Sequence, residues 1–129
     1  MAHGRVIIVD DHPESLESLA LLMEGWGHVV ASAHTGSEAL ALLAAGRPPH
    51  VAIVDLALPD IPGCDVIRGM KAAIPGLFVI AHSGHNELRD EARLAGADAF
   101  VLKPNFEVLE GMVARHVEAA RPRKRESNV

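Results

Sequence analysis

Four short stretches of this chain are apolar at every position: Val6-Ile7-Ile8-Val9, Val51-Ala52-Ile53-Val54, Leu77-Phe78-Val79-Ile80 and Ala99-Phe100-Val101-Leu102. A strand with one wet face alternates apolar with polar residues, so unbroken runs imply strands covered on both faces. A weaker run, His28 to Ala33, suits a sheet edge. Between the runs, apolar residues recur at helical spacing: Leu16, Leu19, Ala20, Met23 and Trp26; Ala39, Leu40 and Leu43; Ile67, Met70 and Ile74; Leu88, Ala92 and Ala95; Phe106, Leu109, Val113 and Val117. These stripes predict core, and Trp26 is expected to pack with its stripe. Punctuation agrees: Pro13 opens a helix, Gly25 to Gly27 closes it, Thr35 with Glu38 forms a capping box, Pro48-Pro49 and Pro75-Gly76 break the chain, Asn86 can cap, and Gly96 stops. Strand and helix alternate five times, which predicts an α/β domain with a parallel sheet, helices on both faces and right-handed crossovers.

The chain has 129 residues, the size of one domain, and 49% of them are apolar. No run approaches the roughly 18 apolar residues of a membrane span, and Met1-Ala2-His3-Gly4-Arg5 leads directly into a strand; a cytoplasmic protein is expected. The single cysteine, Cys64, reads as a small apolar filler on a helix. Residues 1–120 hold 8 Lys/Arg against 16 Asp/Glu, so the body is acidic and unsuited to nucleic-acid phosphates. Residues 121–129 form a basic tail or linker.

The polar residues that end the apolar runs carry the chemistry. Asp10 and Asp11 follow the first, Asp55 the Val51–Val54 run, Ser83 the Leu77–Ile80 run after Ala81-His82, and Lys103 the last. The carboxyl edge of an open parallel sheet is where ligands bind. Taken singly, Asp55 could cap the following turn, and Asp10-Asp11 could be solvated near a helix N-terminus. Together they place three carboxylates, a hydroxyl and an ammonium at one edge. Adjacent carboxylates repel, and an oxygen-rich set suits Mg²⁺, which needs few carboxylates and keeps water or phosphate oxygens. The chemistry suggested is phosphoryl transfer to a carboxylate, giving an aspartyl phosphate. His12, His34, His82 and His85 lack a zinc-like spacing, so a transition-metal site is not read from them.

At this point the sequence resembles the receiver domain of two-component response regulators, chemotaxis-regulator-like, over residues 4 to about 120. The matching residues are Val9-Asp10-Asp11, Asp55-Leu56-Ala57-Leu58-Pro59 with Gly63, Ser83-Gly84, Gly96-Ala97-Asp98, and Phe100 three residues before Lys103-Pro104. The resemblance implies a flavodoxin-like (βα)5 domain over 1–120 with strand order 2-1-3-4-5. It implies that Asp55 accepts a phosphoryl group from a histidine kinase or histidine phosphotransfer protein. Mg²⁺ would be held by Asp11, Asp55 and the Ala57 carbonyl, with Asp10 reaching it through water. Lys103 would pair with the phosphoryl oxygens, and Ser83 with Phe100 would form the switch. His85 would line the mouth of the site. The segment between Ser83 and Lys103 is shorter than usual for the family, which implies a trimmed fourth helix or leading loop and leaves the output surface and homodimerisation open.

The expected function is a phosphorylation-controlled switch rather than a turnover enzyme, acting on a downstream protein or effector domain, with no membrane contact. The alternatives are an aspartyl-nucleophile phosphatase, or a receiver cut from a larger transcription regulator. The phosphatase wants a general acid close behind Asp55, where position 57 is Ala. A flavin-binding relative of this fold would need a phosphate loop after the first strand, which is missing.

Overall fold

The structure is a computed structural model that describes residues 4–120; the basic tail expected at 121–129 lies outside the described residues. The wholly apolar runs become the inner strands. β1 is Arg5–Val9, β2 Val29–Ala33, β3 Val51–Val54, β4 Phe78–Ser83 and β5 Ala99–Leu102, all parallel, in the order β2-β1-β3-β4-β5. In the sheet centre, Val6 to Val9 of β1 register with Val51 to Val54 of β3. Those eight side chains are buried. The edge strand β2 is largely exposed, as its mixed sequence requires.

Five helices cover both faces: α1 (Pro13–Gly25), α2 (Gly36–Ala44), α3 (Gly63–Ala73), α4 (Arg89–Ala95) and α5 (Phe106–Ala120). Alternation along each strand sorts two cores. Ile7, Val9, Ala52, Val54, Val79 and Ala81 meet helices α2 to α4, whereas Val6, Ile8, Val51, Ile53 and Ile80 meet α1 and α5. Leu109, Val113 and Val117 of α5 are buried as the periodicity predicts.

Two local expectations fail for identifiable reasons. Trp26 is 46% exposed. The helix ends at Gly25, so Trp26 occupies the C-cap and leaves the buried stripe one residue early. Asn86 does not cap a helix. It opens a single 3₁₀ turn, Asn86–Leu88, and its side-chain oxygen instead accepts from the guanidinium of Arg89 (3.0 Å). The following α4 has only seven residues, ending at Gly96 in the left-handed region (φ 117°). It is the shortest of the five described helices.

Half of the capping box forms as expected, with Thr35 Oγ1 accepting from the Glu38 N–H at 3.0 Å, but the return bond is displaced one residue, Glu38 Oε1 accepting from the His34 N–H at 2.7 Å rather than from that of Thr35. A contribution the sequence did not reveal comes from Asp60, in the loop after β3. Its carboxylate accepts from the N–H groups of Gly36 and Ser37 (both 2.9 Å), so the start of α2 is tied to the β3–α3 loop. The Ser37 hydroxyl and these N–H donors hold its carboxyl well below the usual carboxylate range.

His82 lies on β4, 2% exposed, with its ring tilted against Phe106 at 6.1 Å. Burial, then the nearby Lys103 charge, depresses it to about 4 from an ordinary 6.5. The fold therefore holds it neutral, while the unfolded chain takes up a proton below 6.5. Stability from this group is present above pH 6.5 and is lost as pH falls toward 4, by on the order of 3 kcal/mol. Replacing it by leucine in His82→Leu should flatten that part of the acid limb in urea titrations; an unchanged acid dependence would show that His82 does not set it.

Candidate functional site

The parallel ladder continues one residue past β1 and β3 and so fixes the two central acids. Asp10 N–H donates to Ala33 O (3.0 Å) and Asp55 N–H to Val9 O (2.9 Å). Each carboxylate then folds back on its own turn. Asp10 Oδ1 accepts from the His12 N–H (2.9 Å), and Asp55 Oδ1 from the Ala57 N–H (3.1 Å). Gly63 closes the loop behind Asp55, its N–H donating to Leu56 O at 3.1 Å. A Cβ on Gly63 would overlap Leu56 Cα and come within 2.6 Å of the Asp55 carbonyl oxygen, so only glycine permits this approach.

Lys103, from the end of β5, reaches across to both acids. Its Nζ lies 3.1 Å from Asp10 Oδ2 and 3.1 Å from Asp55 Oδ2. Asp10 and Asp55 are 3% and 4% exposed, so water screens this bridge poorly. Burial pushes Asp55 above the ordinary carboxylate value against the opposing pull of the Ala57 N–H and Lys103. Asp10 is buried too, but the His12 N–H and Lys103 outweigh that and hold it low. Burial alone would depress Lys103, yet Asp55 and Asp10 raise it, so the ammonium stays charged.

Asp11 completes the acidic set and His12 joins it. One donor atom from each of Asp10, Asp11, His12 and Asp55 lies within 4.8 Å of every other. Asp11 Oδ1 is buried and makes no hydrogen bond, although His12 Nδ1 stands 3.2 Å away. Three carboxylates against one ammonium leave negative charge uncompensated, and with an orphaned carboxylate oxygen the cluster fits a divalent cation. Sequence spacing alone missed His12. The available signal was its place beside Asp10-Asp11 and before Pro13.

Ser83 is fully buried at the end of β4, its Oγ accepting from the His85 N–H (3.0 Å) and its carbonyl from the Lys103 N–H (2.9 Å). The Lys103–Pro104 peptide is cis. The His85 ring turns toward Glu87 (3.5 Å) and is not among the grouped cation ligands. Phe100 is half-buried against the α2–α4 core. The Arg89 guanidinium lies over its ring, 4.6 Å from the centroid, a contact the sequence did not predict. A separate cleft of about 360 Å³, between β2 and the end of α2, contains none of these residues.

Residues 6–114 match the response regulator receiver domain. The chain is 39% identical over 101 residues to the transcriptional regulatory protein KdpE of Mycobacterium tuberculosis (strain ATCC 25618 / H37Rv), covering 77% of this chain and 44% of that protein. It is 35% identical over 102 residues to the DNA-binding response regulator MtrA of Mycolicibacterium smegmatis, covering 78% and 44%. The chain therefore spans less than half the length of these curated relatives. Among solved structures, a CheY-like receiver domain protein from Methanospirillum hungatei JF-1 superposes with a TM-score of 0.83 at 30% identity, over 89% of this chain and 94% of that one. The response regulator TrrA of Thermotoga maritima, in complex with Mg²⁺ and BeF, gives 0.79 at 27% identity, over 87% and 97%. With the strand order, the acidic strand ends and this match in agreement, the chain belongs to the response regulator receiver domain family.

Proposed function

We propose that Asp55 is the phospho-acceptor of this receiver and that its donor is a histidine kinase or histidine phosphotransfer protein. The observation that carries the reading is the Lys103 ammonium held 3.1 Å from the Asp55 carboxylate at the carboxyl edge of the sheet. An Asp55 oxygen forms the new O–P bond as the P–N bond to the donor histidine breaks, and the departing imidazole nitrogen takes up a proton. Lys103 then exchanges a carboxylate oxygen for a phosphoryl oxygen and keeps its charge compensated. Asp11, Asp55 and the Ala57 carbonyl would hold Mg²⁺, with Asp10 acting through water. The ion supplies further positive charge for the phosphoryl oxygens. Ser83 and Phe100 read the change. Ser83 gives up its bond to the His85 N–H for one to the phosphoryl group.

The domain acts as a stoichiometric switch. Ala57 offers no general acid to drive turnover, which disfavours the phosphatase reading. Its acidic surface points to a protein partner or effector domain, and DNA contact in a longer regulator would belong to that effector. Among the described residues no helix is long and apolar enough to cross a membrane.

Incubation with acetyl phosphate or phosphoramidate and Mg²⁺ should give one adduct, mapped by mass spectrometry to Asp55. An adduct that persists in Asp55→Ala, or forms equally in chelator, would refute the assignment. Lys103→Ala should slow adduct formation by about a hundredfold or more, since it removes the cation at the developing charge. Ser83→Ala should slow it less and chiefly weaken switching; the reverse order, measured by stopped-flow phosphorylation, would overturn these roles. In a beryllofluoride complex, NMR shifts should cluster on α4, β5 and α5, and shifts confined to α1 and α2 would show that the signal leaves elsewhere.

A further inference from the structure

We propose that His12 is a nitrogen ligand of the cation site, giving this receiver a selectivity for zinc- or cobalt-like divalent ions that an all-oxygen site lacks. The proposal rests on the cluster being the divalent-cation site and adds a ligand beyond Asp11, Asp55 and the Ala57 carbonyl. His12 is held at the site by its neighbour. A residue before proline is kept out of the helical region, and His12 sits at φ −89°, ψ 110°, as the N-cap of α1. That extended backbone sets the imidazole back over the sheet edge. Its Nδ1 is 3.2 Å from Asp10 Oδ1, 3.2 Å from Asp11 Oδ1 and 4.0 Å from Asp55 Oδ2.

These separations are those of donors sharing one ion. With metal–ligand bonds of about 2.0–2.2 Å, adjacent donors stand roughly 3 to 3.5 Å apart and opposite donors roughly 4 Å. The Asp11 Oδ1 contact makes no hydrogen bond, and that oxygen is buried without another partner. A cation here would satisfy the Asp11 oxygen and would take the imidazole lone pair in place of the present 3.2 Å hydrogen bond between His12 Nδ1 and Asp10 Oδ1. The His12 side chain is 67% exposed, so solvent ions reach it directly. Imidazole gives little to Mg²⁺, which prefers hard oxygen, but it raises affinity for ions late in the first transition row.

The test uses the whole chain, the metal salts alone and two variants. Calorimetric titration near neutral pH should show His12→Ala weakening Zn²⁺ binding about tenfold or more while Mg²⁺ changes within about threefold. Pulsed electron paramagnetic resonance of the Mn²⁺-loaded protein should show nitrogen coupling that disappears in His12→Ala. Asp11→Asn should weaken both ions, which separates this site from adventitious binding at other histidines. Equal losses of Zn²⁺ and Mg²⁺ in His12→Ala, or no nitrogen coupling with Mn²⁺ bound, would overturn the role of His12 and leave the oxygen site intact. Failure of folded wild-type protein to bind Mg²⁺ would overturn the cation site itself.

Discussion

Lys103 holds together two buried carboxylates delivered by the central strands, and the carboxyl edge of the sheet is built around that bridge. Asp10 and Asp55 sit on the adjacent strands β1 and β3, where they would repel each other with little water to screen them. The ammonium arrives from β5, two strands away from β3, over sequence separations of 93 and 48 residues. Removing one member of such a buried set leaves an uncompensated charge, which typically costs 3–5 kcal/mol. The same unequal count of charges, three carboxylates to one ammonium, suits the cluster to a dication. Stability and chemistry thus draw on one set of contacts.

The backbone around the bridge is specialised to present it. Gly63 lets the β3–α3 loop touch the chain just past Asp55, and Asp60 in that loop caps α2. At the opposite end of β5, Asp98 accepts from the Val79 N–H (2.8 Å) and from Lys71 of α3 (3.0 Å), which anchors the strand that carries Lys103. Polar side chains at loop positions therefore fix strands and helices that the apolar core alone would leave free to slide.

The apolar runs made the sheet legible from sequence because a doubly covered strand has few alternatives, and the residues ending each run could then be assigned to one edge. Asp10, Asp11, Asp55 and Lys103 meet as that argument required. What escaped were contacts fixed by local geometry or by distant segments. His12 enters the cluster because Pro13 constrains its backbone, which a spacing rule for metal ligands does not register. Arg89 over Phe100 and Lys71 against Asp98 depend on how helices pack. Trp26 was misplaced because a helical stripe predicts burial only while the helix continues, and this one stops at Gly25. Asn86 was misplaced because its side chain found Arg89 instead of a backbone donor.

The hydrogen bond from the Lys103 N–H to the Ser83 carbonyl has a mechanical consequence. The ammonium that bridges Asp10 and Asp55 and the buried Ser83 hydroxyl lie on separate strands but are joined through their own main chains, so a shift of one is felt by the other. A pull on the lysine is then felt as shear between β4 and β5 rather than as one side chain swinging. The Ser83 hydroxyl is also fastened to the His85 N–H, so a hydroxyl that turned away would release the entry to the 3₁₀ turn before α4.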